Sequence, residues 1–467
     1  MARTKSVAPE ALAALGAEAL AQVLIAHADT DPVLRKKLVM LLASTEGPGK
    51  LAAEIDKRIK TIGRSRSFVD WEKRKLLIQE LDHLRATIAT RLAAQDRERA
   101  IELLWNFLGI ADTVLNRMGD GIGAVEEIFG AAMEDLGRLS ARPSPRNPTA
   151  LARRVLAYCE RDGFGSTGAL IRYMAEALGV AGRTEIRRAT EAALKAVPRS
   201  AQPRDWQGNA KRRHFAFRLA LLADLEKDAD AFIAAIHGGG MESTHGLDVA
   251  ERLIAANRPA EALAWLDKPR QRFEDDDSDG ADTDLRVAAL EAMGRKDDAQ
   301  SVRWRHFERF LNAEHLRAYL KRLPDFEDFE AEQKAIELAA GHKQTERAVA
   351  FLIEWRALDR ADRLVRERQA TLDGRFYEVL RPAAEALEEK FPEAASLLYR
   401  RLVESVLDRG SSKQYPYAAR DFQSCTRLSL RLPTPGAIET HAAFVARLQM
   451  AHGRKYRFWG LMEPKGR

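Results

Sequence analysis

Gly163-Phe164-Gly165-Ser166-Thr167-Gly168 has the G-x-G-x-x-G spacing with which backbone amides cradle a pyrophosphate. That chemistry needs a buried strand before the loop and a helix after it. Here the loop follows the charged stretch 151–161, so it reads as a glycine-capped connector between helices. Glu46-Gly47-Pro48-Gly49-Lys50 lacks the G-x-x-x-x-G-K-[ST] frame of a phosphate loop. His237-Gly238-Gly239-Gly240 resembles an oxyanion-hole sequence, but no G-x-S-x-G nucleophile elbow accompanies it. The ten histidines include no H-x-x-x-H pair, and His237 and His245 have no third ligand close in sequence, so no zinc site is expected. Glu274-Asp275-Asp276-Asp277-Ser278-Asp279-Gly280 lacks the distal glutamate of a calcium loop and reads as a solvated acidic insert. The expectation is therefore no catalytic residue, no metal and no cofactor.

Basic residues interleaved with aromatics are the more suggestive pattern. Between Lys50 and Lys75 nine Lys/Arg face four Asp/Glu, a local excess of 9 − 4 = +5, with Phe68 and Trp71 among them. Lys211, Arg212 and Arg213 precede Phe215 and Phe217, and Arg454 and Lys455 precede Phe458 and Trp459. Cations that follow phosphates and rings that stack on bases make Lys57, Arg58, Lys60, Arg64, Arg66, Lys211, Arg212, Arg213, Arg454 and Lys455 candidate nucleic-acid contacts. The alternative is that the rings pack inward and the charges form the wet face; for Phe458 and Trp459, inward packing would seal the end of a helical stack.

The elements that must carry these residues are helical almost throughout. Of 467 residues 46% are hydrophobic and 31% charged, enough to bury a large core in solution. Leu316, Leu320 and Leu323 recur at i, i+4, i+7, and Trp304, Phe307 and Leu311 at i, i+3, i+7, the period of a helix face. Alternating β-branched runs are absent. Helices are expected over 9–28, 32–43, 49–62, 68–93 and 97–118, then 149–161, 168–178, 183–196, 205–225 and 229–237. Three regions follow from the breaks: 1–140, 149–245 and 246–467, with a proline-containing linker near 141–148.

The third region carries a recurrent plan. Asn257-Arg258-Pro259 and Gly294-Arg295-Lys296 are turns, each followed by a small residue, Ala262 or Ala299, and Pro392 with Ala395 repeats the arrangement. Helix–turn–helix units at a spacing in the mid-thirties are tetratricopeptide-like. One such pair cannot bury its apolar face alone, so neighbours must stack into an α-solenoid. Leu397, Leu398, Leu402, Val403, Val406 and Leu407 make one helix apolar on most sides, as a helix sandwiched in that stack would be.

Cys159 and Cys425 are the only cysteines, which excludes a disulfide framework. No apolar run reaches the length of a membrane span, and the N-terminal stretch is too interrupted for a signal peptide, so the cytoplasm is the expected compartment. A net charge of +6 on 75 basic and 69 acidic residues permits contact with nucleic acid without arguing for it.

Arg303-Trp304-Arg305-His306-Phe307-Glu308, the run from His315 to Phe326, Leu372-Asp373-Gly374, Ala418-Ala419-Arg420, and the closing His452-Gly453-Arg454-Lys455 with Phe458-Trp459 together resemble the DUF6880 group, an uncharacterised bacterial family. The resemblance covers essentially the whole chain. It implies helical repeats similar to those that follow the zinc finger of SWIM-type proteins; the finger itself needs more thiols than this chain has. Gln414-Tyr415-Pro416-Tyr417 stands where the group usually has a more basic run, and Asp421 where it usually has histidine. The resemblance and the repeats together favour a non-catalytic scaffold or adaptor for a partner protein, with Arg303, Arg317, Tyr319, Lys321 and Arg420 as candidate groove residues. A nucleic-acid-binding accessory protein is the alternative.

Overall fold

The computed structural model describes residues 12–118, 123–142, 147–161, 167–197, 206–268, 279–432 and 438–462. The chain divides into two compact units, Met1–Glu242 and Ser243–Arg467. Most of the glycine loop 163–168 and most of the acidic insert 274–280 lie outside the described residues. Extended pairing among the described residues is limited to one bridge between Val69 and Met118.

The first unit contains α1 (Ala17–Ala28), α2 (Pro32–Thr45), α3 (Pro48–Arg64), α4 (Trp71–Thr87, continued by a π turn over Ile88–Leu92), α5 (Arg97–Leu108), α6 (Ala111–Leu115), α7 (Gly123–Ala141), α8 (Pro148–Cys159), α9 (Thr167–Ala196), α10 (Trp206–Glu226) and α11 (Ala229–Gly239). Local chemistry sets their starts. Asp70, Asp96, Asn147 and Asp228 each accept a hydrogen bond from a backbone N–H two or three residues on, satisfying donors that the first turn leaves unpaired. Pro48 and Pro148 occupy first-turn positions where no N–H is needed. One apolar core runs from Met40 to Leu222. Leu51, Ile55 and Ile59 enter it from a single face of α3, and Phe107 meets Phe129 with ring centroids 5.1 Å apart.

Boundaries differ from the periodicity in places, as where the helix expected over 9–28 starts at Ala17 after Gly16 at φ of +80°. The helix expected to begin at 68 begins at Trp71, because the Asp70 side chain caps it. The stretch 97–118 breaks after Leu108, where Gly109 and Ile110 separate α5 from α6. The helices expected over 168–178 and 183–196 are both present within α9, separated at Gly179, whose φ of +55° is not helical and suits a residue without Cβ.

The second unit contains α12 (Gly246–Ala255), α13 (Pro259–Leu266), α14 (Ala281–Ala292), α15 (Lys296–Phe310), α16 (Ala313–Leu320), α17 (Glu327–Gly341), α18 (Thr345–Glu354), α19 (Leu358–Glu367), α20 (Tyr377–Leu387), α21 (Pro392–Arg409), α22 (Tyr415–Ser429), α23 (His441–His452) and α24 (Tyr456–Trp459). From α12 to α24 most helices pack on the next in the chain and many on the next but one: α12 on α13 and α14, α18 on α19 and α20, α21 on α22 and α23. That succession is the packing of a helical solenoid.

The tight turns share one backbone device. Asn257, Gly294 and Arg356 have φ of +58°, +74° and +60°. The following residue in each case donates its N–H to a carbonyl five positions back: Arg258 to Leu253, Arg295 to Leu290 and Ala357 to Leu352. This closes the preceding helix and reverses the chain. Ala262, Ala299 and Ala395 are all fully buried, so helices approach closely at those points. Helix α21 is sandwiched as its composition predicts, with Leu398, Leu402, Val403 and Leu407 almost wholly out of solvent.

Candidate functional site

A concavity of mixed polarity lies in the second unit, where α20, α21 and α22 meet. It is a cleft of about 250 Å³. Leu402 and Val406 of α21 form its floor, and Tyr377, Arg381, Gln414 and Tyr417 line it from the neighbouring segments. Arg409, one turn beyond Val406, and Gly374 complete the lining.

The supports of this cleft are built into the backbone. Gly374 lies against the carbonyl of Arg401 and the side chain of Ser405; an added Cβ would come within 2.4 Å of both. The Arg401 side chain donates to the Leu372 carbonyl, and the Asp373 N–H donates to Glu346. The connection before α20 is therefore fastened to α18 and α21, which places Tyr377 and Arg381 one helical turn apart on the cleft wall.

Charge in the cleft is unequally compensated. Arg381 donates from Nε and Nη2 to the two carboxylate oxygens of Asp421, at 3.0 and 2.8 Å, and Asp421 is only 3% exposed. That bidentate bond raises the guanidinium pKa against the opposing effect of its partial burial. Asp421 is thus the counter-charge that fixes Arg381. Among the described residues Arg409 has no carboxylate partner; its Nε donates to the Ser405 carbonyl of its own helix, at 3.0 Å. Arg420 is exposed and lies 5.8 Å from the Tyr417 ring centroid, and Arg381 lies 5.9 Å from it. Gln414 Oε1 is buried and accepts no hydrogen bond.

None of the five groove candidates lines this cleft; Arg420 comes nearest, beside the Tyr417 ring. Arg303 is 3% exposed and donates to Glu291 and Gln300, so it holds α15 to α14 and does not face a groove. Its alternation with apolar neighbours in the sequence gave no hint of burial, because arginine is rarely so deep unless paired. Tyr319 packs on Trp304 with centroids 5.1 Å apart. Arg317 bonds Glu354 at 2.9 Å and lies 5.2 Å from the Trp355 centroid. Lys321 is exposed at the end of α16. Tyr377, Arg381 and Arg409 were not singled out from the sequence, although Tyr377 and Arg381 at i, i+4 on one helix carried a usable signal; Gln414 and Tyr417 fall in the stretch 414–417 noted there.

Four of the ten nucleic-acid candidates are engaged within the fold. Lys57 pairs with Glu54, Lys60 with Asp56, and Arg58 donates twice to Glu80. Lys57, Lys60 and Arg64 share with Arg99 a groove that also presents Asp56, Asp96, Glu98 and Glu102, so its charge is 4 − 4 = 0. Arg212 donates to the carbonyls of Val197 and Gly238, each at 3.0 Å, and fastens the ends of neighbouring helices. Arg64, Arg66, Lys211, Arg213 and Arg454 are exposed, and Lys455 is half-buried at the start of α24. Phe458 is fully buried against Tyr415, Phe422 and Trp459, so the terminal aromatics close the stack as the inward reading expects.

Among the described residues no group of three potential ligands is placed to hold a metal ion. No described helix is long and apolar enough to cross a membrane.

The chain belongs to a family of unknown function, DUF6880, whose model matches residues 2–461. No curated protein is similar enough to count as a match. Among solved structures, a "circular tandem repeat protein with novel repeat topology and enhanced subunit contact surfaces" is 17% identical over 96% of this chain and 95% of its own, with a TM-score of 0.19.

Proposed function

We propose that this member of the DUF6880 family is a non-catalytic, cytoplasmic adaptor whose tetratricopeptide-like second unit holds a segment of a partner protein in the cleft between α20, α21 and α22. The observation that carries this reading is the cleft's composition: two tyrosines and an unpaired arginine set over an apolar floor. Aromatic and arginine side chains are enriched where proteins recognise one another, because they bury much area while retaining polar contacts. The exposed rings of Tyr377 and Tyr417 have the same character. Chain-order stacking supplies a rigid frame, which lowers the ordering cost of binding.

The test is a photo-crosslinking amino acid placed at position 417 of the full chain in its native cells. Position 173, an exposed tyrosine in the first unit, is the control. The expected result is a discrete protein adduct at 417 that is absent at 173 and abolished by Arg409→Glu. A cleft that yields no adduct, or one that yields a nucleic-acid adduct in its place, refutes the adaptor reading; the second outcome would return the basic residues to consideration.

A further inference from the structure

We propose that α1 and α2 form the contact by which two copies of this chain associate about a two-fold axis, α1 of each copy lying along α2 of the other. The starting observation is how little of α1 its own chain covers. It is a helix of 12 residues, mostly apolar, of which only Ala28 is buried. A helix of about 12–15 residues is marginal in water by itself and depends on packing of its apolar face. Ile25 of α1 is 63% exposed, and Val39 and Leu42 of α2 are 44% and 64% exposed. Large apolar side chains gathered in the open on two consecutive helices mark a surface that another body covers.

The two helices complement each other in a way that selects a second copy. Glu18, Ala21 and Ile25 recur at i, i+3, i+7 on α1, and Arg35, Val39 and Leu42 at i, i+4, i+7 on α2, so each set shares one helix face. Glu18, Ala21 and Arg35 are exposed, as the apolar members are. Among the described residues neither Glu18 nor Arg35 has an ion-pair partner. Laid side by side in the same direction, the two faces set Glu18 opposite Arg35 and Ile25 opposite Leu42, with the small Ala21 beside Val39. One chain cannot make that contact with itself. Only residues 29–31 join α1 to α2. Their reach is under about 15 Å, whereas bringing α2 alongside α1 in the same direction requires a return of about 18 Å, the length of α1. A two-fold axis makes the contact twice, since each helix then meets the other's counterpart. A lipid surface is a poorer match, because α1 has no lysine or arginine with which to hold an anionic bilayer.

The experiment is sedimentation velocity of the full chain across a concentration series, with the variants Glu18→Arg and Arg35→Glu taken singly, mixed in equal amounts, and combined in one chain. Wild type is expected to shift from monomer to dimer as concentration rises. Each single variant sets like charges opposite one another at both contacts and should weaken self-association about tenfold or more. The mixture of the two single variants restores opposite charges at both contacts and should sediment as a dimer, and so should the double variant. Ile25→Gln should weaken association by a similar factor. All of these changes fall on exposed side chains, and helix content unaltered by circular dichroism shows that the variants fold. A wild-type chain that stays monomeric at every concentration overturns the inference. So does a dimer indifferent to Ile25→Gln or to the single charge reversals, and so do single variants that remain apart when mixed.

Discussion

Replacing Arg381 by methionine removes both donors from the Asp421 carboxylate while keeping an unbranched side chain against the cleft wall. Asp421 is 3% exposed, so water cannot replace the lost bonds. Two hydrogen bonds to a charged group are worth about 3–6 kcal/mol before compensation. Loss of one partner from a buried pair typically costs about 3–5 kcal/mol. The Arg381 side chain is 28% exposed, which places the expected cost near the lower figure, about 3 kcal/mol. In urea that corresponds to a midpoint lower by about 1 M or more. The chain has two compact units, so hydrogen exchange read on peptides covering Leu398 and Leu402 should locate the loss in the second. Because the penalty arises from an unpaired buried carboxylate, Arg381→Met combined with Asp421→Leu should recover most of it. A loss below about 1 kcal/mol, the ordinary value of an exposed pair, would refute the reasoning. So would a double variant no more stable than Arg381→Met alone.

Three further outcomes follow from the same geometry. Gly374→Ala forces a Cβ onto the Arg401 carbonyl and should destabilise the second unit by about 1–3 kcal/mol, measured by thermal or urea unfolding; wild-type stability would show that the turn moves aside freely. Burial pushes the Glu80 carboxyl up, but its bonds from Arg58 and Lys36 bring it below its ordinary value of 4.5. A depressed folded pKa contributes stability that is complete above the unfolded value and is lost as pH falls through the folded one. The advantage of wild type over Glu80→Gln in urea unfolding should therefore be full near neutral pH and shrink below about 4.5; a constant gap across that range would contradict it. Burial also pushes the Cys425 thiol up to about 12. It should stay unlabelled by iodoacetamide at neutral pH until urea unfolds the second unit, as mass spectrometry of the alkylated peptides would register.

The helical class and the paired plan of the second unit were legible because both depend on short-range periodicity. Leu398, Leu402 and Val403 are buried where their spacing places them, and the turns at Asn257 and Gly294 close helices as their residue types suggest. Boundaries were less legible where one side chain decides them: Asp70 begins α4 by capping, three residues after the start that periodicity suggested. The cleft was mostly hidden for a different reason. Arg381 and Asp421 are forty positions apart, and nothing local indicates that one neutralises the other. Arg303 shows the converse, since its exposed-looking type conceals a buried pair with Glu291.

The same comparison explains why a surplus of basic residues is a poor guide to partners here. Lys57, Lys60 and Arg58 each have a carboxylate within reach, and Arg212 is committed to backbone carbonyls. A cation already compensated in the folded chain releases few counterions when a phosphate approaches, so it adds little to the salt-dependent attraction on which nucleic-acid binding depends. What distinguishes Arg409 is therefore its surroundings and not its charge: among the described residues no acid pairs with it, and it lines a cleft together with Leu402, Val406 and two tyrosines. An uncompensated cation in a partly dry cleft is worth more to an incoming carboxylate than several paired ones on a wet helix face, because the interaction is less screened there. The adaptor proposal therefore rests on the cleft of the second unit and not on the sequence stretches where lysine and arginine are most numerous.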